Sequence, residues 1–130
     1  MDHIAPQALS RVLAAIIMVE SAGDKLAVNE KENAVGLLQI RPIMVEDVNR
    51  ILQKQAYTLE DRTDPNKSVE MFWVYQKHYT RVERIGRIVT LEDIACNWNS
   101  GPNGYRKSCT AKYWDKVKTE MDKGKDAVTP

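Results

Sequence analysis

The chain is predicted to be all-α: a bundle of about six helices with at most a small irregular hairpin. Three observations carry this. Apolar residues recur at helical spacing in stretch after stretch, no segment shows the alternation of a half-buried strand, and Pro and Gly stand where helices would start and stop.

Pro6 can open a first helix that runs to about Ser21, with Leu9, Val12, Leu13, Ile16 and Ile17 on one stripe and Gly23 ending it. Asp24 to Asn33 is polar and aperiodic, a surface loop and the place for any hairpin. Ala34 to Ile40 is a short apolar segment stopped by Arg41-Pro42, in which Gly36, lacking a Cβ, lets another backbone or a ligand approach. Ile43, Met44, Val48, Ile51 and Leu52 then mark an amphipathic helix to about Lys54. Ala56 to Pro65 reads as a polar connection, and Asp64-Pro65 as a turn and helix start. One long helix follows, broken at Gly86, whose face of Val69, Phe72, Trp73, Tyr75, Tyr79 and Val82 reads as core packing. Thr90-Leu91-Glu92-Asp93 is a variant capping box before a helix with Leu91, Ile94, Ala95 and Trp98 inward. Asn99 to Gly104 is dense in turn formers, and the last helix carries Tyr113, Trp114, Val117 and Met121 with Gly124 as its stop. One domain is expected over residues 1–130, with 1–7 a loosely ordered lead-in and 124–130 a loosely ordered tail.

A chain of 130 residues can bury about two-thirds of its unfolded surface, enough for a core without staples. Nineteen Lys and Arg face eighteen Asp and Glu, so no global field points to nucleic acid, and Arg81, Arg84 and Arg87 read as a solvated helix face. Cys96 and Cys109 fit no zinc spacing and read as thiols or as one disulfide; His3 and His78 suggest neither metal nor triad. No metal or other cofactor is expected. No apolar run approaches the roughly 18 residues of a bilayer span, so stable membrane insertion is not expected. The N-terminus has no basic region leading into an apolar core and cleavage site.

The residue of most chemical interest is Glu20. It lies three beyond Ile17 and four beyond Ile16, and so continues the apolar stripe. A carboxyl held there is partly desolvated, which favours its protonated form and suits it to act as a general acid. The alternative is an ordinary solvated Glu past the buried part of the helix.

Its neighbours extend the pattern. Glu20-Ser21 with Gly23, then Gly36-Leu37-Leu38-Gln39-Ile40 before Pro42, then Asn97-Trp98-Asn99-Ser100-Gly101-Pro102 resemble, in order and spacing, the three signature blocks of the soluble lytic transglycosylase family. The resemblance covers roughly Ala8 to Val117. It implies a lysozyme-like fold, related to the goose-type lysozymes, with a sugar cleft and peptidoglycan glycan strands as substrate. It further implies cleavage of the bond between N-acetylmuramic acid and N-acetylglucosamine by a lone Glu, leaving 1,6-anhydro ends. Ser21 then falls near the cleft, Gln39 on a substrate hydroxyl or amide, and Asn99 on the acetamido group. Tyr113, in the position of the family's late Tyr, reads as a phenol bonded to the acid or the sugar, or as a core aromatic. Trp98 stands where the family has Tyr; its indole can stack on a sugar but donates only through N–H.

Goose-type lysozymes carry acids in the loop that matches Asp24 to Asn33, which makes Glu32, and after it Glu30, candidates for a second carboxylate. That arrangement would make the protein a hydrolytic muramidase. A wall-binding or particle-structural module without turnover is the rival from another class. A monomer is expected. A bacteriophage lysis protein, a particle-associated protein, or a domain of a longer chain acting at the wall would each fit.

Overall fold

The computed structural model describes residues 1–107 and 111–128. Among these are six α-helices and one small sheet: α1 (Pro6–Ser21), β1 (Val28–Asn29), β2 (Ala34–Val35), α2 (Pro42–Leu52), α3 (Pro65–Tyr79), α4 (Val82–Ile85), α5 (Leu91–Ser100) and α6 (Ala111–Val128). None of the described helices is long and apolar enough to cross a membrane. The backbone divides into two compact units, Glu20–His78, and Met1–Val19 with Tyr79–Pro130.

In the Glu20–His78 unit the expected hairpin is real but minimal. β1 and β2 pair antiparallel, Val28 with Val35 and Asn29 with Ala34, across the turn at residues 30–33. Apolar side chains of the block after the hairpin (Ala34, Leu38, Ile40), of α2 (Met44, Val45, Val48) and of α3 (Met71, Phe72, Tyr75) are buried, as the core reading of the aromatic helix requires. The connection before α3 is more ordered than its polarity suggests. It contains a 3₁₀ helix, Leu59–Thr63, capped by Thr58, whose amide donates to Asp61 Oδ2 at 2.8 Å. That amide, helped by Lys67, outweighs burial and holds the Asp61 carboxyl below its ordinary value.

In the other unit, α1 buries Val12, Ala15 and Ile16, and α5 buries Ile94, Ala95, Cys96 and Trp98. Cys109 lies outside the described residues. In the lead-in, His3 Nε2 is 2.8 Å from the carbonyl of Val89. The long helix expected to reach Gly86 is two. α3 ends at Tyr79, Thr80 is fully buried and accepts a 3.0 Å hydrogen bond from Asn97, and Arg81 is extended (φ −125°, ψ 152°) before α4. Val82 is consequently exposed instead of inward. Gly124 does not stop α6, which continues to Val128; a helix-ending Gly needs positive φ, and Gly124 has none.

The arginines expected to form a solvated face are largely engaged within the chain. Arg84 donates to the carbonyls of Tyr79 (3.2 Å) and Pro102 (2.6 Å) and lies over the Tyr79 and Tyr105 rings. Arg87 grips the buried Asp93 through both carboxylate oxygens, at 2.7 and 2.8 Å. Asp93 also completes the predicted capping box. Its Oδ2 accepts from the Thr90 amide at 2.9 Å, and its own amide donates to Thr90 Oγ1 at 3.2 Å. Burial alone would raise the Asp93 carboxyl, but Arg87 and Thr90 together hold it below the ordinary 3.8.

A depressed carboxyl stabilises the fold above its unfolded pKa, and that contribution is lost as pH falls through the folded value. Asp93→Asn is therefore expected to cost about 1–3 kcal/mol at pH 7. The gap in melting temperature between parent and variant should close on acidification below about pH 4. A gap that stays constant from pH 7 to pH 3 would exclude an ionised Asp93 as its source.

Candidate active site

α1 delivers Glu20 at its last turn. Ile16, one turn earlier, is fully buried, and Glu20 itself is half-buried, so the carboxyl occupies the polar end of the apolar stripe. The helix cannot continue past Ser21 because Ala22 (φ 54°) and Gly23 (φ 84°) both turn left-handed. Ser21 closes this end: its Oγ accepts from the Gly23 amide at 3.2 Å and its carbonyl from the Asp24 amide at 3.0 Å. Asp24 is used in the next turn, accepting from the Leu26 amide at 2.9 Å.

The second block folds as a tight loop beside the hairpin. Val35 and Ile40 bridge each other, and the Gly36 amide donates to the Ala27 carbonyl at 2.8 Å. Of the two approaches that Gly36 permits, the structure uses the backbone one. An added Cβ would lie 1.9 Å from the carbonyl oxygen of Arg62. Gln39 has φ 52° and is half-buried, with Nε2 donating to the carbonyls of Ala27 (3.1 Å) and Gly36 (3.0 Å). Two carbonyl partners fix which amide atom is nitrogen. Oε1 accepts no hydrogen bond among the described residues and is not sealed from solvent, leaving it as the atom available to a ligand donor.

Arg62 holds this loop, and nothing in its own polar stretch singled it out. Buried in the 3₁₀ helix, it donates through Nη1 to the carbonyls of Asn33 (2.8 Å) and Ile40 (3.1 Å) and through Nε to that of Leu59 (3.0 Å). Its own carbonyl accepts from buried Ser68 at 3.0 Å. Burial lowers its guanidinium pKa. The sequence signal, visible in retrospect, is Thr58 three residues before Asp61, a capping pattern that announces a turn of helix inside the connection.

The proposed second carboxylates are on the hairpin turn. Glu30 and Glu32 are both exposed, and the Glu32 amide donates to Asn29 Oδ1 at 3.4 Å.

The third block belongs to the other unit. Asn97 is fully buried and builds the turn, its Oδ1 accepting from the Tyr105 amide at 2.8 Å while Nδ2 donates to Thr80. Gly104 packs so closely that a Cβ would lie 1.9 Å from the Cys96 carbonyl oxygen. Asn99 is exposed, donating to Ser100 Oγ at 3.1 Å. Trp98 is only 4% exposed and Tyr113 9%. Trp98 is thus buried on the inward face of α5, as the spacing of Leu91, Ile94 and Ala95 with it predicts. The structure gathers Glu20, Ser21, Gln39, Glu30 and Glu32 in one unit and Trp98, Asn99 and Tyr113 in the other. Among the described residues no group of three or more His, Cys, Asp or Glu could hold a metal ion.

A family model described as Transglycosylase SLT domain matches residues 4–120. Among solved structures, a chain of the crystal structure of Aeromonas hydrophila PliI in complex with Meretrix lusoria lysozyme superposes with a TM-score of 0.70. The two share 22% identity over 84% of this chain and 87% of that one. At that identity the likeness concerns the fold, which is lysozyme-like. Comparison with curated proteins finds no match.

Proposed function

The chain belongs to the transglycosylase SLT domain family, whose members act on peptidoglycan. On that premise we propose that it cleaves the β-1,4 bond between N-acetylmuramic acid and N-acetylglucosamine with Glu20 as the one catalytic carboxyl. The observation that carries this reading is the position of Glu20, half-buried at the end of the α1 stripe and followed at once by the Ser21–Asp24 turn.

The Glu20 carboxylic acid gives its proton to the bridging oxygen as the bond from that oxygen to the muramic C1 breaks. The neighbouring acetamido oxygen supports the positive charge developing at C1. The carboxylate then takes the proton of the same sugar's 6-hydroxyl as its oxygen bonds to C1. No water is consumed, Glu20 ends protonated as it began, and the product carries a 1,6-anhydro ring. Gln39 Oε1 accepts a hydrogen bond from a sugar hydroxyl or amide, and Ser21 stands beside the acid. The family resemblance adds Asn99 for the acetamido group and the Tyr113 phenol for the acid or the sugar. A hydrolase would need a second carboxylate held at a defined separation from the first, and the exposed turn that carries Glu30 and Glu32 supplies no such restraint.

Mass spectrometry of digested cell wall tests the reaction type. The expected fragments end in 1,6-anhydro-muramic acid, lighter by one water than reducing ends. Reducing ends in their place would replace this reading with a hydrolytic one.

A further inference from the structure

A concavity lies wholly in the Met1–Val19 and Tyr79–Pro130 unit, and none of the residues assigned to the Glu20 chemistry lines it. It is a groove of about 370 Å³, at the small end of the roughly 300–1,000 Å³ typical of ligand sites. Arg11 of α1 and Glu92 of α5 border it together with Trp114, Lys118, Met121 and Asp122 of α6. These α6 positions are spaced by four, seven and eight residues, so they form one face of the helix.

Trp114 and Met121, both half-buried, give the groove an apolar floor. Around it stand two cations, Arg11 and Lys118, and two carboxylates, Glu92 and Asp122, with no ion pair among the four. Among the described residues, no ion pair involves Arg11, Glu92 or Asp122. Arg11 reaches the Met121 carbonyl at the long distance of 3.5 Å. Lys118 sits 3.4 Å from Asp115 and 5.9 Å from the centre of the Trp114 ring. A neutral sugar would offer these four groups no opposite charge. A ligand with both carboxylate and ammonium groups on a short, partly apolar frame would answer them.

We propose that this groove binds the peptide arm of peptidoglycan, a short peptide bearing free carboxylates and an ammonium group. The carboxylates go to Arg11 and Lys118, the ammonium to Glu92 and Asp122, and the peptide frame lies over Trp114 and Met121. The inference rests on peptidoglycan being the substrate. It gives the enzyme a second hold on the wall, which raises the effective concentration of glycan strands at Glu20.

The test is an NMR titration of the intact chain with the free tripeptide L-alanyl-γ-D-glutamyl-meso-diaminopimelic acid. The expected result is a saturable shift of the Trp114 indole N–H and of neighbouring α6 amides, with affinity lowered about tenfold or more by either Arg11→Glu or Asp122→Lys. Amidating the tripeptide's carboxylates should weaken binding to the parent chain, a check that needs no variant to fold. The proposal is overturned if the tripeptide leaves Trp114 unmoved, if charge reversal and amidation leave the affinity unchanged, or if an N-acetylglucosamine oligomer moves the same signals. Tripeptide binding in Glu20→Gln keeps the two readings apart. Its loss in every form with wall cleavage intact removes the groove alone, and its persistence in a chain that never cleaves wall removes only the catalytic assignment.

Discussion

Glu20→Gln is expected to reduce wall cleavage by about 10²–10⁴-fold, the range that a positioned general acid supplies. Gln is nearly the same shape and keeps hydrogen-bonding capacity, so the half-buried end of α1 has no reason to repack. What it lacks is a proton to give and a lone pair basic enough to take one back. The proposed route uses Glu20 in both steps, first as acid and then as base, so the loss should fall on kcat with KM little changed. Steady-state release of soluble muropeptides measures this, with circular dichroism to confirm that the fold is intact. Glu32→Gln sharpens the result. On the single-carboxyl route it leaves turnover within about twofold, as an exposed surface charge should. On a hydrolytic route it would fall alongside Glu20→Gln. Wall cleavage undiminished in Glu20→Gln would end the assignment of this residue as the acid.

Local chemistry made much of this molecule readable in advance. Pro6, the Ile16–Ile17–Glu20 stripe, Gly23 and the Thr90–Asp93 box each act within one turn of chain, and each is found as its residue types dictate. What escaped depends on contacts between residues distant in sequence. Thr80 looks like one more position in an aromatic helix, yet its hydroxyl is claimed by Asn97, seventeen residues on, and the helix breaks there. Arg62 looks like one charge in a polar stretch, yet its guanidinium satisfies carbonyls twenty-two and twenty-nine residues earlier. Trp98 was legible in its packing: its inward position on α5 predicts the burial that the structure gives. Gln39 divides between both readings: its amide nitrogen is committed to main chain, and its oxygen remains for a ligand.

Gly36→Ala is expected to destabilise the protein by about 3 kcal/mol or more, a large share of the roughly 5–15 kcal/mol that holds a typical domain folded. Two costs add. At φ +88° an Ala sits in left-handed space, at roughly 1–2 kcal/mol. Its Cβ would also fall 1.9 Å from the Arg62 carbonyl oxygen, and backbone cannot swing aside as a long side chain can. Retreat of that carbonyl would strain its bond from buried Ser68 and draw the guanidinium away from Asn33 and Ile40, the two ends of the loop that carries Gln39. Gly86→Ala carries the first cost alone, because Gly86 has nearly the same φ, +86°, with nothing within 4 Å of its added Cβ. That variant should lose only the roughly 1–2 kcal/mol of conformational strain. Urea unfolding of the two side by side measures the difference. Equal stabilities would mean that the loop yields around Gly36 and that Arg62 does not fix it. A gap of about 2 kcal/mol, accompanied by loss of wall cleavage in Gly36→Ala alone, would tie the packing of Gly36 on Arg62 to the geometry around Glu20.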